Sequence, residues 1–228
     1  MTRLPLLLSL LLLGAAPAAA PAAPQEKVPV SLRVDAAGKP LDDAAFAKLA
    51  KGEVLVKLID NADNPVKKGV AIGVVDASPE MVYATIGDYE NFKDFMPYVV
   101  KTVVDERTPE KNTVSYWLEF PLNVGNRNYQ LELVDGKKTV DGIEILASDW
   151  KYTGKGNIIG TTGSWELSPW GEGKTLARYT VFTDPGGSFP TWIKNKAAET
   201  AMPKVINAVR KRVASPQAKK PAETPAAK

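Results

Sequence analysis

Apolar and polar positions change their period several times along this chain, and each change marks an element. Over residues 41–50 (LDDAAFAKLA), Phe46 and Leu49 share one side behind a cap at Asp42 or Asp43, which predicts a short amphipathic helix that Gly52 ends. Residues 54–59 and 70–76 read as two strands able to pair. Ser78-Pro79-Glu80 then combines a side-chain cap, a first-turn proline and an acid at the positive end of the helix dipole. Val82 and Ile86 give that helix its apolar face, Gly87 stops it, and Asp88 opens a second short helix towards Phe95. From Tyr98 to Thr183 the period becomes two: Tyr116, Leu118 and Phe120 share one face, and Tyr129, Leu131 and Leu133 alternate with Asn128, Gln130 and Glu132. Asp135-Gly136 predicts a tight hairpin turn into a strand over 139–147. The pattern amounts to roughly seven antiparallel strands.

A long helix is expected over 189–213, where Trp192, Met202, Ile206, Val209 and Val213 recur near helical spacing and Lys194, Lys196, Lys204 and Lys211 lie opposite. Pro190 suits its first turn, and Pro203 sits inside it, where a missing donor and a ring clash should bend it. The concave face of a curved sheet and the stripe of one long helix must bury each other. If the sheet curls too widely for side chains to fill it, a lined cavity remains.

The ends read differently. Arg3, the apolar run 4–13 and Ala18-Ala19-Ala20 predict a cleavable export signal over 1–20, and the apolar run is too short to span a bilayer. A periplasmic or secreted location follows as the expectation. Residues 21–40 read as a Pro/Ala-rich linker, 41–213 as the folded domain, and 214–228 as a disordered tail without large apolar residues.

Composition removes whole classes of chemistry. The chain has no cysteine and no histidine, which excludes disulfides, thiol nucleophiles, His-based triads and His-ligated zinc. No carboxylate pair is fixed by spacing, and no phosphate loop occurs. No catalytic residue, metal or cofactor is therefore expected. With 29 Lys+Arg against 26 Asp+Glu and no basic stripe, nucleic acid is not an expected partner. The basic residues near Lys204–Lys220 predict at most a transient contact with a membrane surface.

Three segments carry a family resemblance. VDASPEMVYATIGDYENFKDFMPYVV at 75–100, Arg127-Asn128-Tyr129, and TDPGGSFPTWIKNKAAETAMP at 183–203 resemble, in order and spacing, the START, polyketide-cyclase and birch-pollen-allergen-like (SRPBCC, Bet v 1-like) superfamily, with Asn128 where the family has an acid. The resemblance implies an α+β helix-grip fold: a curved seven-stranded antiparallel sheet around a long C-terminal helix, with two short helices after the first strand region. It also implies a tunnel holding one lipid-like molecule.

On that basis Phe92, Phe95, Met96, Tyr116, Leu118, Phe120, Tyr129, Leu131, Trp165 and Tyr179 are expected to line the tunnel, and Trp192, Met202 and Ile206 to close it from the helix. In a filled core the same residues would simply pack. Arg127 shares the parity of Tyr129 and is expected either to hold a ligand's polar head or, at the strand's open end, to reach water, Glu119 or Asp184. Gly186-Gly187 is the expected hinge. The functional expectation is a non-catalytic, monomeric binder or carrier of a hydrophobic small molecule or lipid (including sterol-like molecules and quinones). The alternatives are a cyclase or dehydratase acting on an aromatic or polyketide substrate, and a filled scaffold that binds a protein partner.

Overall fold

The computed structural model describes residues 28–120, 125–219 and 221. The expected export signal, linker residues 21–27 and the tail at 220 and 222–228 lie outside the described residues; residues 214–219 are not disordered as expected but turn back through Ser215, with Lys219 3.6 Å from Asp88. Eight strands form one antiparallel sheet: β1 Leu55–Asn61, β2 Asn64–Val75, β3 Val99–Arg107, β4 Asn112–Leu118, β5 Arg127–Val140, β6 Ile143–Gly156, β7 Gly160–Pro169 and β8 Thr175–Asp184. Their spatial order is β1-β2-β8-β7-β6-β5-β4-β3. After β2 the chain crosses through helix α2 (Pro79–Ile86) and a 3-10 turn (Tyr89–Asp94) to the far edge, then meanders back until β8 pairs with β2. The sheet has eight strands rather than about seven, and the alternating run that begins at Tyr98 opens with its edge strand β3.

The two short helices after the first strands form as expected. Ser78 Oγ accepts from Met81 N, and Pro79 opens α2. The long helix α3 spans Thr191–Val213, with Pro190 just outside it as the cap. Pro203 lies within α3 without ending it. The donor it lacks would serve the Glu199 carbonyl, which belongs to an exposed residue that water can reach.

The inner face of β2 decides where α3 lies. Gly69, Ala71 and Gly73 alternate there, and a Cβ on Gly73 would come within 2.8 Å of Ile206 Cγ2. A Cβ on Gly69 would collide with Met202 Sδ. The helix therefore rests directly on backbone, with Met202, Ile206 and Val209 fully buried. Val70, Ile72 and Val74 point from the other face of β2 and are buried too, against Val28, Leu32, Leu49, Trp170 and Leu176. Burial on both faces explains why β2 reads as an almost unbroken apolar run.

Two expectations are corrected here. The linker assignment fails for residues 28–40: Val28 is fully buried, Leu32 nearly so, and a 3-10 turn at Val30–Leu32 leads into a bridge between Val34 and Pro40. With α1 (Asp43–Ala50), whose Phe46 stacks on Trp170 at 5.8 Å, this segment covers the sheet's outer face. The hairpin turn is also misplaced, since β5 runs straight through Asp135-Gly136 and turns at Asp141-Gly142. There both residues adopt positive φ (50° and 76°). The later turn lets Val140 and Ile143 pack on the outer cluster.

Replacing Gly73 with valine is expected to destabilise the protein by about 1–3 kcal/mol, since Ile206 and Arg210 Nη2 border the site. Gly136→Ala is the control, because a Cβ there meets nothing within 4 Å. Urea unfolding checks both; equal midpoints for the two variants would show that α3 does not rest on β2 as described.

Candidate functional site

Between the sheet's inner face, α2 and α3 lies the larger apolar cluster. Every expected lining residue except Arg127 and Trp192 belongs to it: Phe92, Met96, Tyr116, Leu118, Leu131, Trp165, Met202 and Ile206 are buried, and Phe95, Phe120, Tyr129 and Tyr179 are partly buried against them. Packing is uneven along the grip. Leu167, Ala177, Ile206 and Val209 are wholly enclosed, whereas Tyr129, Trp150, Tyr179 and Val181 keep accessible surface although they face inwards.

The looser part is aromatic and contains three phenols. Tyr116 stacks on its cross-strand partner Tyr129 at 5.6 Å, and Tyr179 lies between Trp165 (4.6 Å) and Trp150 (5.7 Å, stacked). The three hydroxyls are near enough to influence one another electrostatically. Burial pushes Tyr129 up to about 12 and drives Tyr116 and Tyr179 above the ordinary tyrosine value as well. Among the described residues none hydrogen-bonds any of the three hydroxyls. Neutral donors and acceptors thus converge in an apolar, aromatic setting.

The carboxylates around this interior are already engaged. Asp135 accepts from Tyr89 Oη (2.8 Å) and Asn112 Nδ2 (2.7 Å). Asp88, nearly buried, faces Arg212 at 3.3 Å and Lys219 at 3.6 Å, and Arg212 also lies 5.0 Å over the Phe95 ring. Asp184 pairs with Lys194 at 2.8 Å and accepts from Gly186 N and Asn64. Burial raises the Asp184 pKa, but those donors outweigh it and hold the group below the usual carboxylate value. These pairs fasten α3 at both ends. Midway, Lys204 Nζ donates to Tyr98 Oη at 2.8 Å, and Tyr98 itself is held at a left-handed φ of 67° against Phe120. Among the described residues no group of three or more acidic side chains could hold a metal ion.

Arg127 does not point a free guanidinium into the grip. Its Nε donates to the Pro185 carbonyl at 2.8 Å and its Nη1 to the Asn126 carbonyl, so it clips the loop that precedes α3. Neither Glu119 nor Asp184 is its partner. The loop's Gly187, at φ 75°, lies against Arg127 Nη2, where a side chain would crowd it. Trp192 is likewise excluded from the interior, being 69% exposed at the start of α3. Conversely, the expected lining omits Trp150, which lies across Gly163 where no Cβ fits. Its signal was its parity with Ser148 and Leu146 on β6, had that strand been extended past Ala147.

A curved antiparallel sheet closed by one long C-terminal helix over an aromatic interior defines a helix-grip protein. Residues 75–210, more than half of the chain, match the family described as polyketide cyclase / dehydrase and lipid transport, and the chain belongs to that family. The structure is similar to a STAR-related lipid transfer protein from Xanthomonas axonopodis, with TM-score 0.63 and 20% identity over 71% of this chain and 94% of that one. It is also similar to human STARD10, with TM-score 0.57 and 18% identity over 77% of this chain and 81% of that one. An uncharacterized protein of Pseudomonas aeruginosa is 36% identical over 84 residues, which span 34% of this chain and 41% of that relative.

The raised phenol pKa values make a signed prediction. The folded state holds these protons more tightly than the unfolded chain does, so the stability they confer is complete below about pH 10 and is lost as pH rises through their raised folded values, about 12 for Tyr129 and higher for the other two. In the folded protein, the triple variant Tyr116→Phe/Tyr129→Phe/Tyr179→Phe is expected to show the same rise in tyrosinate absorbance between about pH 9 and 11 as the wild type. A clearly smaller rise in the variant would mean that the three phenols are not buried.

Proposed function

We propose that this chain binds and carries a hydrophobic ligand with one neutral polar group, such as a lipid, sterol-like molecule or quinone, within the grip, and does so outside the cytoplasm. The observation that carries the reading is the trio Tyr116, Tyr129 and Tyr179, whose hydroxyls face an aromatic interior without hydrogen-bond partners among the described residues. Hydroxyls of this kind suit a ligand hydroxyl or carbonyl. A charged head would be left uncompensated among them. The family description names lipid transport beside cyclase and dehydrase activity, and the similar structure from Xanthomonas axonopodis is that of a STAR-related lipid transfer protein. Ring closure or dehydration would need a proton acceptor ready near neutral pH. The phenols are shifted away from that range, and Asp88, Asp135 and Asp184 are held by structural partners, which favours the binder.

Loading requires α3 or the loop before it to move, and the Arg127–Pro185 clip and the Lys194–Asp184 pair are the contacts to be released. Exposed Trp192 and Ile159 (69% and 68%) suit a brief contact with a bilayer during that exchange. No helix among the described residues is long and apolar enough to cross a membrane.

Native mass spectrometry of the protein released gently from its own cells is expected to show one lipid-like mass per chain, on a polypeptide lacking residues 1–20. The triple Tyr→Phe variant should lose about tenfold or more in affinity for that ligand, at about 0.5–1.5 kcal/mol per hydrogen bond, while keeping affinity for a plain alkyl probe. Ligand-free protein, or equal loss for both probes, would overturn the reading. Trp192→Ala is expected to lower co-sedimentation with phospholipid vesicles without changing the unfolding midpoint.

A further inference from the structure

The outer face of the sheet carries a second concavity, separated from the grip by the sheet itself. It measures about 400 Å³ and is roofed by Ser31, Leu32 and Ala36 of the N-terminal segment. Register sets Glu166 of β7 beside Arg178 of β8, and Ser164 beside Thr180, so these four side chains project together beneath the roof. Arg178 is committed to the roof: Nη1 donates to the Val34 carbonyl at 2.5 Å and Nη2 to that of Asp35 at 3.3 Å. This leaves its Nε 3.7 Å from Glu166, too far for a hydrogen bond. Burial raises the Glu166 pKa more than Arg178 lowers it.

Glu166 is therefore a carboxylate with 22% of its side chain exposed and no hydrogen-bond donor among the described residues. The Ser164 and Thr180 hydroxyls and the Lys68 ammonium border the same space, also without hydrogen bonds from the described residues. Nearby Asp149 is already paired with Lys138 at 2.5 Å. The concavity thus presents a carboxylate ion-paired to Arg178 but without a hydrogen-bond donor among the described residues, and the Lys68 ammonium in no ion pair with the described residues, with aliphatic wall from Leu32 and Val70 between the polar positions. A simple cation would meet Lys68 and Arg178, and a simple anion would meet Glu166. A molecule carrying both charges satisfies both.

We propose that this concavity binds a small zwitterion, a free α-amino acid with an aliphatic side chain, whose ammonium donates to Glu166 and whose carboxylate accepts from Lys68. Ser164 and Thr180 supply hydroxyl contacts, and the aliphatic side chain lies against Leu32 and Val70. The site is independent of what the grip holds.

Calorimetric titration of the protein with leucine, with isoamylamine and with 4-methylpentanoate tests it. Leucine is expected to bind, and each half-molecule to bind at least about tenfold more weakly. Glu166→Gln and Lys68→Met should each lower leucine affinity by a similar factor, with loading of the grip unchanged. Should Glu166→Gln fail to fold, Ser164→Ala and Lys68→Met carry the test. Absence of binding by any free amino acid at millimolar concentration overturns the proposal, and so does leucine binding that is indifferent to Lys68→Met.

Discussion

The seating of α3 on the glycine-bearing face of β2 is the contact on which the rest of the structure depends. Gly69 and Gly73 remove the side chains that would hold the helix off the sheet, and Met202 and Ile206 fill the resulting space. At this closest approach nothing larger than packing atoms fits. Elsewhere on the inner face, from β4 to β8, aromatic groups take over much of the lining. A tight seat at one side and a looser aromatic interior at the other are two consequences of one geometry.

The electrostatics follow the same division. Charges that touch α3 lie at its ends and along its rim: Asp184 with Lys194, Asp88 with Arg212, and Arg210 Nε on the Val74 carbonyl. The aromatic lining itself contributes neutral phenols, which burial keeps protonated, while Asp135 beside it accepts from Tyr89 and Asn112. Placing the ion pairs at the perimeter fastens the helix without putting a charge where it would lack a partner. The contacts at the rim are thus polar, and the seat on β2 is apolar.

Much of this was legible in the residues, and the misreadings share a cause. Helix α2 announced itself through Ser78-Pro79-Glu80, and β4 and the start of β5 through clean alternation, because local chemistry alone determines them. Asp135-Gly136 and Asp141-Gly142 are equal as local turn signals. Only the distant outer cluster, where Val140 and Ile143 find partners, selects the second. That choice hid Trp150, since a strand ended at Ala147 cannot supply an inward residue at 150. Arg127 had the right parity, but the Pro185 carbonyl that captures it lies 58 positions away in sequence. Residues 28–40 look like a linker because their burial depends on a surface made by β2, β6 and β8.

That covering segment changes what the sheet is for. In a sheet with one solvated face, polar side chains such as Glu166, Ser164, Thr180 and Arg178 would simply meet water. Beneath the Val34–Asp35 backbone they become partly buried, and their hydrogen-bonding capacity acquires consequences. Strands β7 and β8 carry both sets of groups in alternation: Trp165 and Tyr179 face the grip, while Glu166, Arg178 and Thr180 face outwards. Neighbouring residues on the same two strands thus serve opposite sides of the sheet. A change in strand register would disturb both at once, because a one-residue slip exchanges the faces. Arg178 ties the roof to β8 and Asp184 ties β8 to α3, so this single strand links the outer cover to the helix that closes the grip.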